Sequence, residues 1–177
     1  LVVVFRSILV PLVAALGFIL SLLATLGAVV AVFQWGWGES LLGVGAQPVL
    51  NFLPIILVGL VFGLAMDYQI FLATGMREAY LSGTEARAAV AAGLRAGRPV
   101  VVAAGLIMVA IFGAFVLNDS AIVKPVGFGL AFGVVADAFV VRLVLMPALL
   151  RLLGPSAWWL PRWADRIVPR LEINHGS

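Results

Sequence analysis

Residues 8–33 read ILVPLVAALGFILSLLATLGAVVAVF, 26 consecutive positions without a charged side chain. About 20 apolar helical residues suffice to cross the hydrocarbon core of a bilayer, so this run is long enough to span one. Three more runs follow. Phe52 to Ala73 is interrupted only by Asp67, Tyr68 and Gln69; Pro99 to Leu117 is uncharged; Ala121 to Leu150 carries Lys124, Asp137 and Arg142. Strands of a transmembrane barrel would alternate polar and apolar residues, with a turn about every ten positions. No such alternation occurs, so the runs predict an all-α, polytopic transmembrane helical bundle. Its four spans fall at about 8–33, 52–75, 99–117 and 121–150. Pro54, Pro99 and Pro125 each fall in the first turn of a span, where a missing N–H costs nothing.

Composition agrees along all 177 residues: 64% are hydrophobic and 11% charged, with a mean hydropathy of +1.20. Soluble domains carry about a quarter of their residues as charge, and disordered chains are polar, so both classes are excluded. With no Cys there is no disulfide framework and no thiol chemistry. The net charge of +3 does not point to nucleic acid, because the basic residues lie scattered around apolar runs as topology signals do.

Their distribution orients the spans. Residues 34–51 and the turn Asn118-Asp119-Ser120 contain no Lys or Arg, whereas 76–98 contains Arg77, Arg87, Arg95 and Arg98. The tail adds Arg151, Arg162, Arg166 and Arg170, and Arg6 precedes the first span. Arg-rich connections remain cytoplasmic. The first and third spans therefore run outward, the second and fourth inward, and the C-terminus is cytoplasmic. Trp35 and Trp37 fall at the outer interface, and Trp158, Trp159 and Trp163 at the inner one. The opening Leu1 to Ser7 reads as the cytoplasmic end of a preceding helix, which makes the chain a C-terminal fragment of something larger. A membrane domain at 1–154 and a cytoplasmic tail at 155–177 follow. Within 76–98, Thr84 after the Ser82-Gly83 break can cap a short helix ending at Gly97. Arg87 and Arg98 would share one of its faces, so it is expected to lie on the inner leaflet, as a separate amphipathic segment or a plain basic connector.

An ionisable group at the centre of a span costs at least ~2.5–3.5 kcal/mol, so Asp67 and Asp137 are informative. Gly59, Gly63 and Asp67 are spaced i, i+4, i+8, and Gly129, Gly133 and Asp137 repeat that spacing. Residues four apart share a helix face, and Gly at that interval lets helices approach closely in lipid. Both Asp are therefore expected to face packed protein, with Val61 representing the lipid side. They either titrate, as a proton carrier must, or are structural and pair with Arg, Ser or Tyr from neighbours. Tyr68 supplies a hydroxyl beside Asp67. Arg142 lies five residues beyond Asp137, about 140° away on an α-helix, and is expected to reach the inner interface or another helix. Lys124 is expected to snorkel outward toward Asp119. No phosphate loop, nucleophile elbow or metal-spaced cluster occurs, so neither an enzyme nor a cofactor is indicated.

The stretch Phe62-Gly63-Leu64-Ala65-Met66-Asp67-Tyr68-Gln69-Ile70-Phe71-Leu72, followed by Arg77-Glu78, resembles the Asp-Tyr helix of the MmpL transporters, in the resistance–nodulation–division superfamily. Three more stretches agree. They are Phe5-Arg6-Ser7 with Pro11, Asp137 to Arg142 followed by Met146 to Leu150, and Gly154 with Trp158-Trp159-Leu160-Pro161. Gly75 departs from the pattern, many members having Arg there, and Lys124 is also unexpected. The resemblance implies half of a superfamily-type membrane domain: four complete spans and the end of a preceding one, completed by an N-terminal half and periplasmic domains. It implies export of lipids or hydrophobic metabolites from the plasma membrane, driven by the proton-motive force, with no cofactor. Asp67 and Tyr68 would form a proton-coupling pair, Asp137 would be a lesser candidate, and oligomerisation is open. A sterol-sensing-like sensor module and a truncated remnant are the alternative readings.

Overall fold

The computed structural model describes residues 9–39, 43 and 51–154, with side chains except at 65, 67–73, 77, 80, 81, 86 and 87. Four long helices account for nearly all of it: α1 (Leu9–Gln34), α2 (Leu53–Leu81), α3 (Ala86–Val116) and α4 (Val123–Leu153). By length and composition α1, α3 and α4 can each cross a membrane; in α2 the corresponding apolar stretch among the described residues is Leu53–Leu64. The reading of 1–8, of the tail from 155 and of Trp158, Trp159 and Trp163 lies outside the described residues.

The turns are built as the sequence suggests. Gly83 adopts φ 92° after α2, a conformation a residue with a Cβ rarely takes, so the Ser82-Gly83 break ends the helix. Between α3 and α4, the Ser120 N–H donates to Asn118 Oδ1 at 2.9 Å, and Ser120 Oγ accepts from the N–H groups of Ile122 and Val123. Trp35 and Trp37 close α1, exposed, with ring centroids 5.7 Å apart.

One boundary differs from the sequence reading. Helix α3 starts at Ala86, with Glu85 rather than Thr84 at its cap, and runs through Gly97 and Pro99 to Val116 without a break. Pro99 is therefore interior to a helix, where it offers no N–H to the carbonyl of Arg95. No separate amphipathic helix precedes the third span; its residues are the first turns of α3. They are held by α2, because Val90 and Met76 share one buried cluster and Gly93 packs directly on the Met76 backbone. A side chain at position 93 would prevent that approach.

Helix α4 is central. Half of its apolar window is buried, against 11% for α3. It runs antiparallel to α1 and α3 and parallel to α2, as paired approaches require: Gly129 to Val29 and Gly133 to Thr25, Gly127 to Phe115 and Phe139 to Gly105, and Gly129 to Leu57 and Gly133 to Val61. Two apolar clusters pack around α4: Val29, Phe33, Leu53, Leu57 and Leu130 near one end, and Val10, Met76, Val90, Val101, Val134, Ala138, Met146 and Leu150 from its middle to the other end. Asp137 and Arg142 are buried alongside the second of these.

Candidate functional site

The centre of α4 changes register. From Val135 to Leu145 the helix is π-helical, with backbone bonds from i to i+5 in place of i to i+4. Residues five apart, poorly aligned on an α-helix, then fall on one face. Asp137 and Arg142 are five apart, and Arg142 Nε donates to Asp137 Oδ2 at 2.6 Å. Both are buried, 3% and 4% exposed. This corrects the expectation that Asp137 and Arg142 lie too far apart around their helix to pair. The ~140° separation assumed α-helical geometry throughout, and the wider register removes it.

The pair has a physical logic. Two separate charges in an apolar interior each carry a desolvation cost of several kcal/mol, which only a close, well-oriented partner offsets. A signal for it was available in sequence: one acidic and one basic residue in a single span must find partners within protein. Π-helical segments recur at functional sites, which adds interest to this one.

Small residues bring α1 and α2 against the same part of α4. A Cβ added to Gly133 would sit 3.0 Å from Val61 Cγ2 and 3.2 Å from Thr25 Oγ1. One added to Gly129 would sit 2.9 Å from Leu57 Cδ2 and 3.1 Å from Val29 Cγ2. Gly129 and Gly133 are thus packing positions, as their spacing predicts. Thr25 donates its hydroxyl back to the Ser21 carbonyl at 2.7 Å, and Ser21 and Thr25 are both fully buried against α4. Sequence reading passed over these two hydroxyls, since Ser and Thr on a long apolar helix do not announce which face they occupy.

Helix α2 presents two different faces. Leu53, Leu57 and Val61, spaced by four, are buried. Gly59 and Gly63, two residues on from Leu57 and Val61 and so roughly 200° around, are exposed and meet nothing within 4 Å among the described residues. The packed seam expected at Gly59 and Gly63 finds no neighbour among the described residues, and Val61 does not face lipid: it fills the groove that Gly133 leaves. The backbone of α2 continues as unbroken helix through Asp67 and Tyr68, so Asp67 takes the register position after Gly59 and Gly63; the side chains of Asp67 and Tyr68 lie outside the described residues. Among the described residues no group of His, Asp or Glu has the arrangement to hold a metal ion.

A model of the MMPL family matches residues 1–171. The chain is 48% identical over 175 residues to membrane protein YdfJ of Bacillus subtilis, and 39% over 174 residues to the mycolic acid-containing lipids exporter MmpL11 of Mycolicibacterium smegmatis. It is 33% identical over 170 residues to the trehalose monomycolate exporter MmpL3 of the latter organism. Each match covers 96% or more of this chain but only 24%, 18% and 17% of the respective relative. The chain therefore spans about a quarter or less of the length of these proteins.

Proposed function

The chain belongs to the MMPL family, whose members are membrane transporters and not enzymes, and from that premise we propose that it is the membrane block of an exporter driven by the proton-motive force. Its helices are those of a multi-pass membrane protein, with α2 as the fourth complete span and the C-terminus on the cytoplasmic side of the plasma membrane. Lipids or hydrophobic metabolites are the cargo class, in keeping with relatives named as exporters of mycolic acid-containing lipids and of trehalose monomycolate. The substrate-handling domains and the other membrane half belong to the remainder of a longer protein.

The observation that carries this reading is the open face of α2. Gly59 and Gly63 leave a smooth helical surface without a neighbour among the described residues, and Asp67 follows at the next register position of the same helix. An acidic residue in a span is costly unless its face meets further protein. A second membrane half closing on this face would enclose the carboxyl, and Tyr68 beside it would supply a hydroxyl to tune or relay a proton. A carboxyl enclosed in this way can take up a proton from one side and release it to the other. Asp137, held by Arg142, is the second candidate for the path.

The test is Asp67→Asn in the full-length protein. The amide keeps the shape and hydrogen bonding of the carboxyl but cannot release a proton. Export should be abolished while expression and thermal stability stay close to wild type. Normal export by this variant would assign Asp67 a structural role.

A further inference from the structure

Where α1 crosses α4, two deeply buried polar atoms have no hydrogen-bond partner among the described residues: Ser21 Oγ and Asp137 Oδ1. Ser21 is 1% exposed and Asp137 3%. The packing register brings them to the same level. A Cβ on Gly17 would meet Val141 Cγ1 at 2.6 Å, and the Cβ position of Gly133 is 3.2 Å from Thr25 Oγ1. Ser21 lies midway between Gly17 and Thr25 on α1, and Asp137 lies midway between Gly133 and Val141 on α4. The same two contacts therefore bracket both residues.

Neighbouring groups are already committed. The Thr25 hydroxyl donates to the Ser21 carbonyl at 2.7 Å, and the Nε of Arg142 takes Oδ2 of Asp137, the other carboxyl oxygen. A helical Ser ordinarily bonds a carbonyl one turn back, yet the Ser21 hydroxyl has no such partner. A buried polar atom left unsatisfied costs ~1–3 kcal/mol. Two of them at one level of one interface, a donor-acceptor hydroxyl and an acceptor oxygen, match what a single buried water satisfies.

We propose that Ser21 and Asp137 hold one buried water between α1 and α4, the water accepting from or donating to the Ser21 hydroxyl and donating to Asp137 Oδ1. Ser21 is then a positioning residue for Asp137. The carboxyl is clamped on one oxygen by a permanent cation and on the other by a small, exchangeable donor, so Oδ1 is where a proton can arrive or leave. The site follows from the α1–α4 geometry and does not depend on whether Asp67 couples transport.

Infrared spectra of the full-length protein in ordinary and oxygen-18 water test this directly. Wild type should show an isotope-shifted O–H stretch from a buried water. Ser21→Ala should lose that band, Ser21→Thr should keep it because the hydroxyl is retained, and Asp67→Asn should leave it in place even as export stops. Should Ser21→Ala not be recovered folded, Ser21→Cys, close in size and a poor hydrogen-bonder, replaces it in the same comparison. A wild type without the band, or a band unchanged in the variant lacking the hydroxyl, overturns the site. Neither result bears on the coupling role of Asp67, which the export measurement decides separately.

Discussion

On α4, Gly129 and Gly133 lie beneath side chains from two other helices; on α2, Gly59 and Gly63 meet nothing within 4 Å among the described residues. The two stripes have the same spacing, and each leads to an Asp one turn further on. Small residues at intervals of four permit close approach, but they do not supply the partner. Around α4 the partners are Val29, Thr25, Leu57 and Val61, all within this chain. Around α2 the buried row is Leu53, Leu57 and Val61 instead, and the glycine row looks away from it. Identical patterns thus serve one seam closed by Val29, Thr25, Leu57 and Val61 and one face without a neighbour among the described residues.

The sharpest way to break the comparison is through the charge that makes the α4 stripe costly. Arg142→Leu leaves Asp137 buried and unpaired, and breaking a buried ion pair in this manner costs about 3–5 kcal/mol. Thermal unfolding in detergent should fall steeply. The double variant Asp137→Leu, Arg142→Leu should recover most of that loss, because apolar residues of similar size commonly substitute for a buried pair without penalty. If the single variant unfolds like wild type, the pair contributes nothing to stability.

The glycines come next. Gly133→Leu must displace Val61 and Thr25, and overpacking of this kind costs ~1–3 kcal/mol. Gly63→Leu adds atoms to a face that meets nothing among the described residues. It should change thermal stability by less than Gly133→Leu while still lowering export in the full-length protein, where the remaining membrane half is expected to close on α2. Equal stability losses for the two variants would erase the distinction between the stripes. Full export by Gly63→Leu would show that nothing docks there.

A smaller effect separates the two faces of α2 itself. Val61 is 2% exposed and Ile55 74%. Val61→Leu inserts a methylene into the contact with Gly133 and should lower the melting temperature measurably. Ile55→Leu, on the outer face, should stay within about 0.5 kcal/mol of wild type. Equal responses would mean that the α2–α4 contact is loose.

Much of the molecule was legible in its sequence because the bilayer restricts the options. A run of 26 uncharged residues has one stable answer in hydrocarbon, a helix that satisfies its own backbone, and α1 follows residues 8–33 almost to the residue. The break at Ser82-Gly83 and the turn at Asn118 to Ser120 were equally readable, since their local chemistry demands a bend. The family was readable too, from four short stretches in order along the chain. The identity of Asp137 as a residue of interest needed only the cost of charge in an apolar span.

Tertiary structure decided the rest, because it depends on what each face meets. Periodicity assigns Gly63 and Val61 to different sides of α2 but cannot say which side is inside, and here the larger residue is the buried one. It cannot reveal that Pro99 is carried within a helix, since α2 packing on Gly93 holds the first turns of α3 in place. Nor can it anticipate the π-helical register of Val135–Leu145. That register alone brings Arg142 onto Asp137, and the crossing of α1 over α4 alone sets Ser21 at the level of the free carboxyl oxygen. Sequence determined which residues an apolar environment would penalise; only the packing of four helices determined how each penalty is met.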